Sequence, residues 1–525
     1  MSDPGGAAGR PAMVEDLRRP SAWPHAVDEV RLVETHISWV FLAGPYAYKL
    51  KKPVDLGFLD FRERSRREFF CREELRLNRR LAPELYLELA GARPGPGGWR
   101  MGPFGDGAEP AVQMRRFPDE AQLDRQLDAG LVHEADMDAF AVDLARFHAQ
   151  APAAGREDGF GTPEAVARPA LENFARLGPA GLDGDTAAGV ARLHDWTRDR
   201  AARLAGRFSS RLEGGWVREG HGDLHLANLV RLGDRVAAFD GIEFDPALRW
   251  IDVVSDAAFL LMDLESRDRP ELGWRFFNAW LERLGGQEGL AVLPWYLVYR
   301  HMVRAKVDAI RLAQGGLDDA AADRLARRLR RHVGLALRRA DPPRPLAVLM
   351  SGYSGSGKSH LAEALAPRLG AVRLRSDVER KRLHGVDPWA GAAAPPGEGL
   401  YAKDATDRTY ERLAALARVA LDAGLPVIVD AAFLGAGRRR DFVALAGRLG
   451  ARPVVLRCDA DPAVLRERVA ARRGDPSDAG LAVLEDQLAR GAGPGADEAR
   501  WLVTVRTDRP VDPAGLAREL LARGG

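Results

Sequence analysis

The sequence predicts a multidomain chain: an α+β part in two lobes, then an α/β part built on a parallel sheet. Three observations carry this. Strand, hairpin and helix patterns fill the stretch up to Phe117 and give way to helical periodicity after Pro118. A segment with three prolines, Ala340-Asp341-Pro342-Pro343-Arg344-Pro345, then interrupts the helices and favours an extended spacer. Beyond it, short apolar runs alternate with helical stretches, the pattern of strands linked by helical crossovers. A chain of 525 residues also exceeds what one core organises.

Taken in order, residues 1–24 are rich in Gly, Pro and Ala and are expected to fray. Val30–Glu34 reads as a strand. Ser38–Ala43 and Tyr46–Lys51 read as a hairpin about Gly44-Pro45. Residues 65–81 read as a helix, with Phe69, Phe70, Leu77 and Leu81 at helical spacing and Pro83 beyond the end. Strands are expected at 85–90 and 111–116 around a Gly/Pro-rich turn at 91–107. Helices follow, clearest at 137–150, with a loop at 151–162, further helices to about Leu212, and helices at 250–264 and 295–312. After the spacer, strands are expected at 346–350, 427–429, 453–457 and 501–505, with a helix at 360–369. The resulting organisation is a flexible 1–24, a first domain at 25–339, a spacer at 340–345 and a second domain at 346–525. The first domain divides into a small lobe at about 28–117 and a large lobe at about 118–335.

Composition narrows the function classes. Hydrophobic content of 46% and charged content of 29% are those of a soluble globular protein. Lys and Arg total 77 against 75 Asp and Glu, so no net charge favours nucleic acid or membrane as a partner. Cys71 and Cys458 argue against a disulfide framework and a thiolate zinc site, and fit a reducing compartment. The N-terminal residues lack a signal-peptide pattern, and no apolar run approaches the ~20 residues that span a bilayer. A cytoplasmic location is expected.

The first chemical signal is His221-Gly222-Asp223-Leu224-His225-Leu226-Ala227-Asn228, followed by the run Arg235–Phe239 that ends in Asp240. A carboxylate to orient an acceptor hydroxyl, with Asn and Asp oxygens to hold Mg²⁺, is what phosphoryl transfer needs. Asp223 is the candidate base; Asn228 and Asp240 are the candidate metal ligands. A cation must meet the phosphates from the small lobe. Strand period places Ala47 and Lys49 on one face, with Lys51 on that face as the rival cation. Glu74 on the 65–81 helix is the expected partner of Lys49, with Glu73 next. His221 reads as a hydrogen-bonding group and His225 as a loop residue. Met114–Phe117 falls where backbone groups could meet adenine. Tyr299, Arg300 and Arg304 read first as a basic face of a packed helix, and second as an acceptor pocket.

This order resembles the aminoglycoside-phosphotransferase-like branch of the protein-kinase fold over about residues 28 to 335. His221, Asp223 and Asn228 match its H-x-D-x-x-x-x-N loop, and Asp240 its metal-binding Asp. Lys49 and Glu74 match its ion pair. The resemblance implies a bilobal protein-kinase-like fold, and for Asp252 the role of bracing the catalytic loop from below. No G-x-G-x-x-G loop precedes Lys49, only the Gly44-Pro45 turn.

The second signal is Gly352-Tyr353-Ser354-Gly355-Ser356-Gly357-Lys358-Ser359, a G-x-x-x-x-G-K-[ST] motif between an expected strand and an expected helix. Its backbone N–H groups cradle phosphates, Lys358 reaches the β/γ-phosphates and Ser359 ligates Mg²⁺. Asp377, expected at a strand end, is the candidate acceptor base or Mg²⁺ positioner, and Arg380 a candidate ligand of acceptor or phosphates. Asp430 ends an apolar run and rivals Asp377 for the metal role. A helix from Asp461 carries Arg466, Arg468, Arg472 and Arg473 and runs into Gly474–Asp478; arginines on such a segment suit a lid, and Arg472 is the candidate nucleotide contact. This half resembles P-loop small-molecule kinases of the gluconate-kinase-like and zeta-toxin-like type, an α/β P-loop NTPase fold, over about residues 346 to 525.

The whole arrangement resembles bacterial proteins that fuse an aminoglycoside-phosphotransferase-like part to an ATP-binding part. It implies two ATP- and Mg²⁺-dependent phosphotransferase sites acting on small-molecule hydroxyls, sugars or amino sugars among them. Two alternatives stand beside it. One half could bind nucleotide as a regulatory switch while the other catalyses, or the first half could transfer AMP; ADP against pyrophosphate as product separates the latter.

Overall fold

The computed structural model describes residues 11–57, 59–177, 182–389, 400, 402–471, 480–490 and 495–523. By compactness the chain forms two units. One comprises residues 1–182, 201–263 and 303–330; the other comprises 183–200, 264–302 and 331–525.

The first unit opens with a six-stranded antiparallel sheet: β1 (Val30–Glu34), β2 (Ser38–Ala43), β3 (Tyr46–Lys51), β4 (Tyr86–Gly95), β5 (Gly98–Pro103) and β6 (Glu109–Arg115), in the order β1-β2-β3-β6-β4-β5. The first three strands lie where apolar alternation places them. Helix Arg64–Asn78 follows β3, three residues short of the expected end, because the backbone turns at Arg79–Leu81 before Pro83. β5 lies inside the stretch expected to be a turn. The turn is confined to Gly95–Gly98, where Gly97 and Gly98 take φ of 88° and 111°, and Trp99 and Met101 alternate beyond it. The N-terminal stretch also departs from expectation: Ala12–Leu17 is a helix, and Val14 and Leu17 are fully buried. They join Trp23, Trp39, Phe41 and Tyr48 in the core on one side of the sheet, so apolar burial holds a segment whose composition reads as frayed.

A second core in this unit ties the sheet to the loop carrying the first motif. Cys71 and Leu75 of the helix and Tyr86 and Val112 of the sheet pack with Val230 and Ala237. The last two belong to a hairpin of β8 (Leu229–Leu232) and β9 (Arg235–Ala238), which follows β7 (Val217–Glu219). β10 (Trp250–Asp252) pairs with β7 where helix was expected, and the helix starts at Val253.

The second unit holds a five-stranded parallel sheet: β11 (Leu346–Ser351), β12 (Val372–Arg375), β13 (Val427–Asp430), β14 (Arg452–Asp459) and β15 (Leu502–Arg506), in the order β12-β13-β11-β14-β15. All six side chains of the central β11 are buried, as a strand covered on both faces requires. Helices Lys358–Leu369 and Pro513–Ala522 share one core with Val348, Met350, Ile428 and Leu456. Among the described residues no helix is long and apolar enough to cross a membrane.

Candidate active sites

In the first unit the sheet brings two lysines to one carboxylate. Lys49 and Lys51 are two residues apart on β3, so both side chains leave the same face. Glu74 is fully buried on the facing helix and takes one lysine on each oxygen, 2.8 Å from each ammonium. The lysines then diverge. Lys49 reaches Asp240 at 2.6 Å, whereas Lys51 pairs with buried Glu243. Burial works against the Lys49 ammonium, but Asp240 and Glu74 outweigh it and hold its pKa well above the ordinary lysine value. Glu74 is likewise opposed by burial and held low by both lysines. Lys49 therefore links its strand to two other stretches, the Glu74 helix and the Asp240 loop, while Lys51 sits fully buried.

The loop around Asp240 is strained and clamped. Asp240 takes φ of 60°, sparsely populated for a residue with a Cβ. Its N–H donates to the Tyr86 hydroxyl at 2.9 Å, and the Gly241 N–H donates to Asn78 Oδ1 at 2.7 Å. Asn78 lies one turn beyond Glu74 and also donates to its carbonyl, so one helix face sets both the carboxylate and the loop. The Asp240 side chain is 46% exposed, which leaves it accessible to a ligand.

The loop 221–228 is held from below. Asp256 is fully buried and accepts from the N–H groups of His221 at 2.8 Å and Gly222 at 3.0 Å, and from His148 Nε2 at 3.2 Å. Burial opposes its charge, yet these donors bring its pKa to about 2. The expected brace, Asp252, does something else: it pairs with Arg211, Nη2 to Oδ1 at 2.7 Å, and caps the Val254 N–H. Asp252 ends β10 and Asp256 lies a turn into the helix beyond it, and only the latter side chain meets the loop. His221 Nε2 donates to the Phe239 carbonyl at 2.9 Å and Nδ1 accepts from the Asp223 N–H at 3.3 Å, which defines a neutral ring. Burial also lowers its pKa, as a hydrogen-bonding role requires. Asn228 Nδ2 donates to the Asp223 carbonyl at 3.0 Å and to its Oδ2 at 3.1 Å, leaving the amide oxygen as the group able to meet a cation. Burial opposes the Asp223 charge, but His225 and Arg304 hold the carboxyl well below the usual range.

In the second unit the loop 352–359 joins β11 to helix Lys358–Leu369. Gly355 has φ of +80°, and a Cβ there would lie 2.6 Å from the Leu465 carbonyl. Gly352 has φ of +143°, and a Cβ there would meet the Cys458 carbonyl at 2.4 Å. Neither position accommodates a side chain. Lys358 Nζ donates to the Tyr353 carbonyl at 2.6 Å, across the loop. Ser359 Oγ donates to Asp430 Oδ1 at 3.1 Å. The Asp430 carboxylate is buried, its pKa is raised first by that burial, and its Oδ2 accepts no hydrogen bond. A hydroxyl beside a buried carboxylate oxygen lacking a hydrogen bond is a donor set that fits Mg²⁺.

Asp377 falls in the first turn of helix Ser376–Leu383, after the strand end, and pairs with Arg380 at 3.1 Å. Arg472, Arg473 and Gly474–Asp478 lie outside the described residues. The loop's surroundings include Gln487 and Thr507, which sequence reading missed, and Arg468 of the candidate lid helix. Ser354 N–H donates to Gln487 Oε1 at 2.8 Å, and Thr507 Oγ1 donates to the Ser356 carbonyl at 2.8 Å. Arg468 donates to the Thr507 carbonyl at 2.7 Å. A cavity of about 630 Å³ adjoins them, lined by Gly357, His360, Leu361, Arg468, Thr507 and Pro510. Nothing in the local sequence of 507–511 marks it; parallel pairing of β15 with β14 delivers it to the loop.

Residues 348–494 match a family model described as an AAA domain. Over 462 residues the chain is 34% identical to the uncharacterized protein Rv2004c of Mycobacterium tuberculosis strain H37Rv, covering 87% of this chain and 89% of that protein. The uncharacterized protein Mb2027c of Mycobacterium bovis matches to the same extent. Among solved structures, a gluconokinase from Sinorhizobium meliloti is 23% identical over 34% of this chain and 93% of its own, with a TM-score of 0.25. A choline/ethanolamine kinase family protein from Mesorhizobium loti is 14% identical over 62% of this chain and 99% of its own, with a TM-score of 0.36.

Proposed function

We propose that this chain, which belongs to the family of the mycobacterial protein Rv2004c, is a bifunctional ATP-dependent phosphotransferase. Each of its two modules, 25–339 and 346–525 joined by the spacer 340–345, moves the γ-phosphate of ATP to the hydroxyl of a small molecule. The observation that carries the reading is the cluster in which Lys49 bridges Glu74 and Asp240. It sets a fixed cation beside an exposed carboxylate, on a loop interlocked with the one bearing Asp223 and Asn228.

In the first module Lys49 meets the ATP phosphates and Glu74 fixes it. Asn228 and Asp240 would hold Mg²⁺, which spreads the phosphate charge when bound. With its pKa held low, Asp223 stays ionised at neutral pH, so it orients the acceptor hydroxyl as a hydrogen-bond acceptor. In the second module the backbone of 352–359, including Ser354 and Ser356, cradles phosphate and Lys358 binds its β/γ oxygens. Ser359 and Asp430 would hold Mg²⁺ there. Asp377 orients the acceptor, and Arg380 and Arg472 supply positive charge to the transferring group. The cavity beside Gly357 takes the nucleoside, with Leu361 and Pro510 against the base. The enzyme works in the cytoplasm, in keeping with two free, buried cysteines.

The test is ADP release from Mg²⁺–ATP against sugars, amino sugars, nucleosides and aminoglycosides, with Asp223→Ala and Lys358→Ala beside the intact chain. Stimulation by an acceptor that only one variant abolishes assigns that acceptor to one module. Nucleotide binding with no acceptor-stimulated ADP release by any compound defeats the kinase reading.

A further inference from the structure

β12 is an edge strand, and helix Pro270–Leu284 covers it. Asn278 donates to the Ala371 carbonyl at 2.9 Å and accepts from the Arg373 N–H at 2.7 Å, pairing the edge as a further strand would. One turn on, Glu282 is buried between two arginines of β12. Its Oε2 accepts from Arg373 Nη2 at 2.8 Å, and its Oε1 from Arg375 Nη1 at 2.9 Å. Burial opposes the Glu282 charge, and the two guanidiniums overcome it.

Both arginines reach onward to the P-loop site. Arg375 Nε lies 3.8 Å from Asp430 Oδ2, the oxygen that accepts no hydrogen bond. Arg373 Nη1 donates to the Ser359 carbonyl at 3.4 Å. A displacement of about 1 Å would bring Arg375 onto Asp430 as a charge-assisted hydrogen bond of ~2.8 Å. That bond would occupy the carboxylate oxygen a cation needs. Glu282 opposes the displacement by holding Arg375 from the other side and balancing its charge in a buried setting, where charges act strongly.

We infer that Glu282 is a positioning residue of the P-loop site: it keeps Arg375 off Asp430, so that Asp430 and Ser359 can take Mg²⁺. The inference rests on reading Ser359 and Asp430 as the metal-binding pair. It also makes a helix outside the 346–525 stretch part of that site.

The experiment measures ATP binding to the full-length chain by calorimetry, in Mg²⁺ and in EDTA. The heat that disappears in Lys358→Ala is assigned to the P-loop site. Glu282→Gln is expected to weaken Mg²⁺–ATP binding about tenfold. Metal-free ATP binding stays unchanged or tightens, because the site has become more positive. Glu282→Asp, which keeps the charge, retains the wild-type ratio of the two affinities. Equal loss in Mg²⁺ and in EDTA for Glu282→Gln, as general damage to the fold would give, overturns the inference, and so does an unaltered ratio. Absence of any Lys358-dependent binding in the parent chain defeats instead the reading of the P-loop site itself.

Discussion

Replacing Asp256 with alanine should cost more than any other single change beneath the 221–228 loop. The carboxylate is fully buried and accepts from two backbone N–H groups and one imidazole, at 2.8, 3.0 and 3.2 Å. Alanine leaves the His221 and Gly222 N–H groups buried without acceptors, at about 1–3 kcal/mol each, and removes one partner of a buried pair with His148. The expected loss is roughly 3–5 kcal/mol in the unit that holds the loop. Asparagine keeps the shape but turns one oxygen into a donor. Whichever way the amide is set, one N–H faces another donor, and the loss falls to about 1–3 kcal/mol. Urea unfolding followed by tryptophan fluorescence reads the stability, and hydrogen exchange at 221–228 reads the loop. The loop amides should lose protection in Asp256→Ala and keep it in Asp252→Asn, whose side chain pairs with Arg211 instead. A loss below 1 kcal/mol for Asp256→Ala, or equal loop exchange in the two variants, refutes the bracing role.

The two lysines should separate by phenotype: Lys49→Met keeps the fold and abolishes turnover at the first site, because Lys51 still holds Glu74. Lys51→Met instead leaves buried Glu243 without its lysine and should lower stability by about 3–5 kcal/mol, read by thermal melting. Gly355→Ala places a Cβ 2.6 Å from the Leu465 carbonyl at φ +80° and should abolish Lys358-dependent ATP binding in calorimetry; retained affinity would show that the loop can rearrange. Folding lowers the Asp256 pKa from 3.8 to about 2, so the unfolded chain binds that proton more tightly. Its contribution of about 2 kcal/mol is complete above about pH 4 and lost as pH falls toward 2, and stability curves should lose this increment in Asp256→Asn.

Both candidate motifs could be read from sequence because each is local. The glycines, Lys358 and Ser359 fall within eight residues, and steric demands at Gly352 and Gly355 leave a fixed pattern. The 221–228 loop is similarly short, and strand alternation alone places Lys49 and Lys51 on one face. Alternation could not choose between them; the choice lies with Asp240 and Glu243, which reach β3 from about 190 positions away in the chain. The resemblance implies Asp252 as the brace, but the packing of the Val253–Ser266 helix turns Asp256, four residues on, toward the loop instead. The N-terminal helix escaped because composition measures flexibility of the free chain, whereas Val14 and Leu17 are held by a sheet formed elsewhere. What the sequence determined by itself is the chemistry of short segments, set by covalent spacing. What tertiary structure decided is which of several equivalent side chains shares a buried volume with a partner, since burial raises the cost of a lone charge until only paired ones remain.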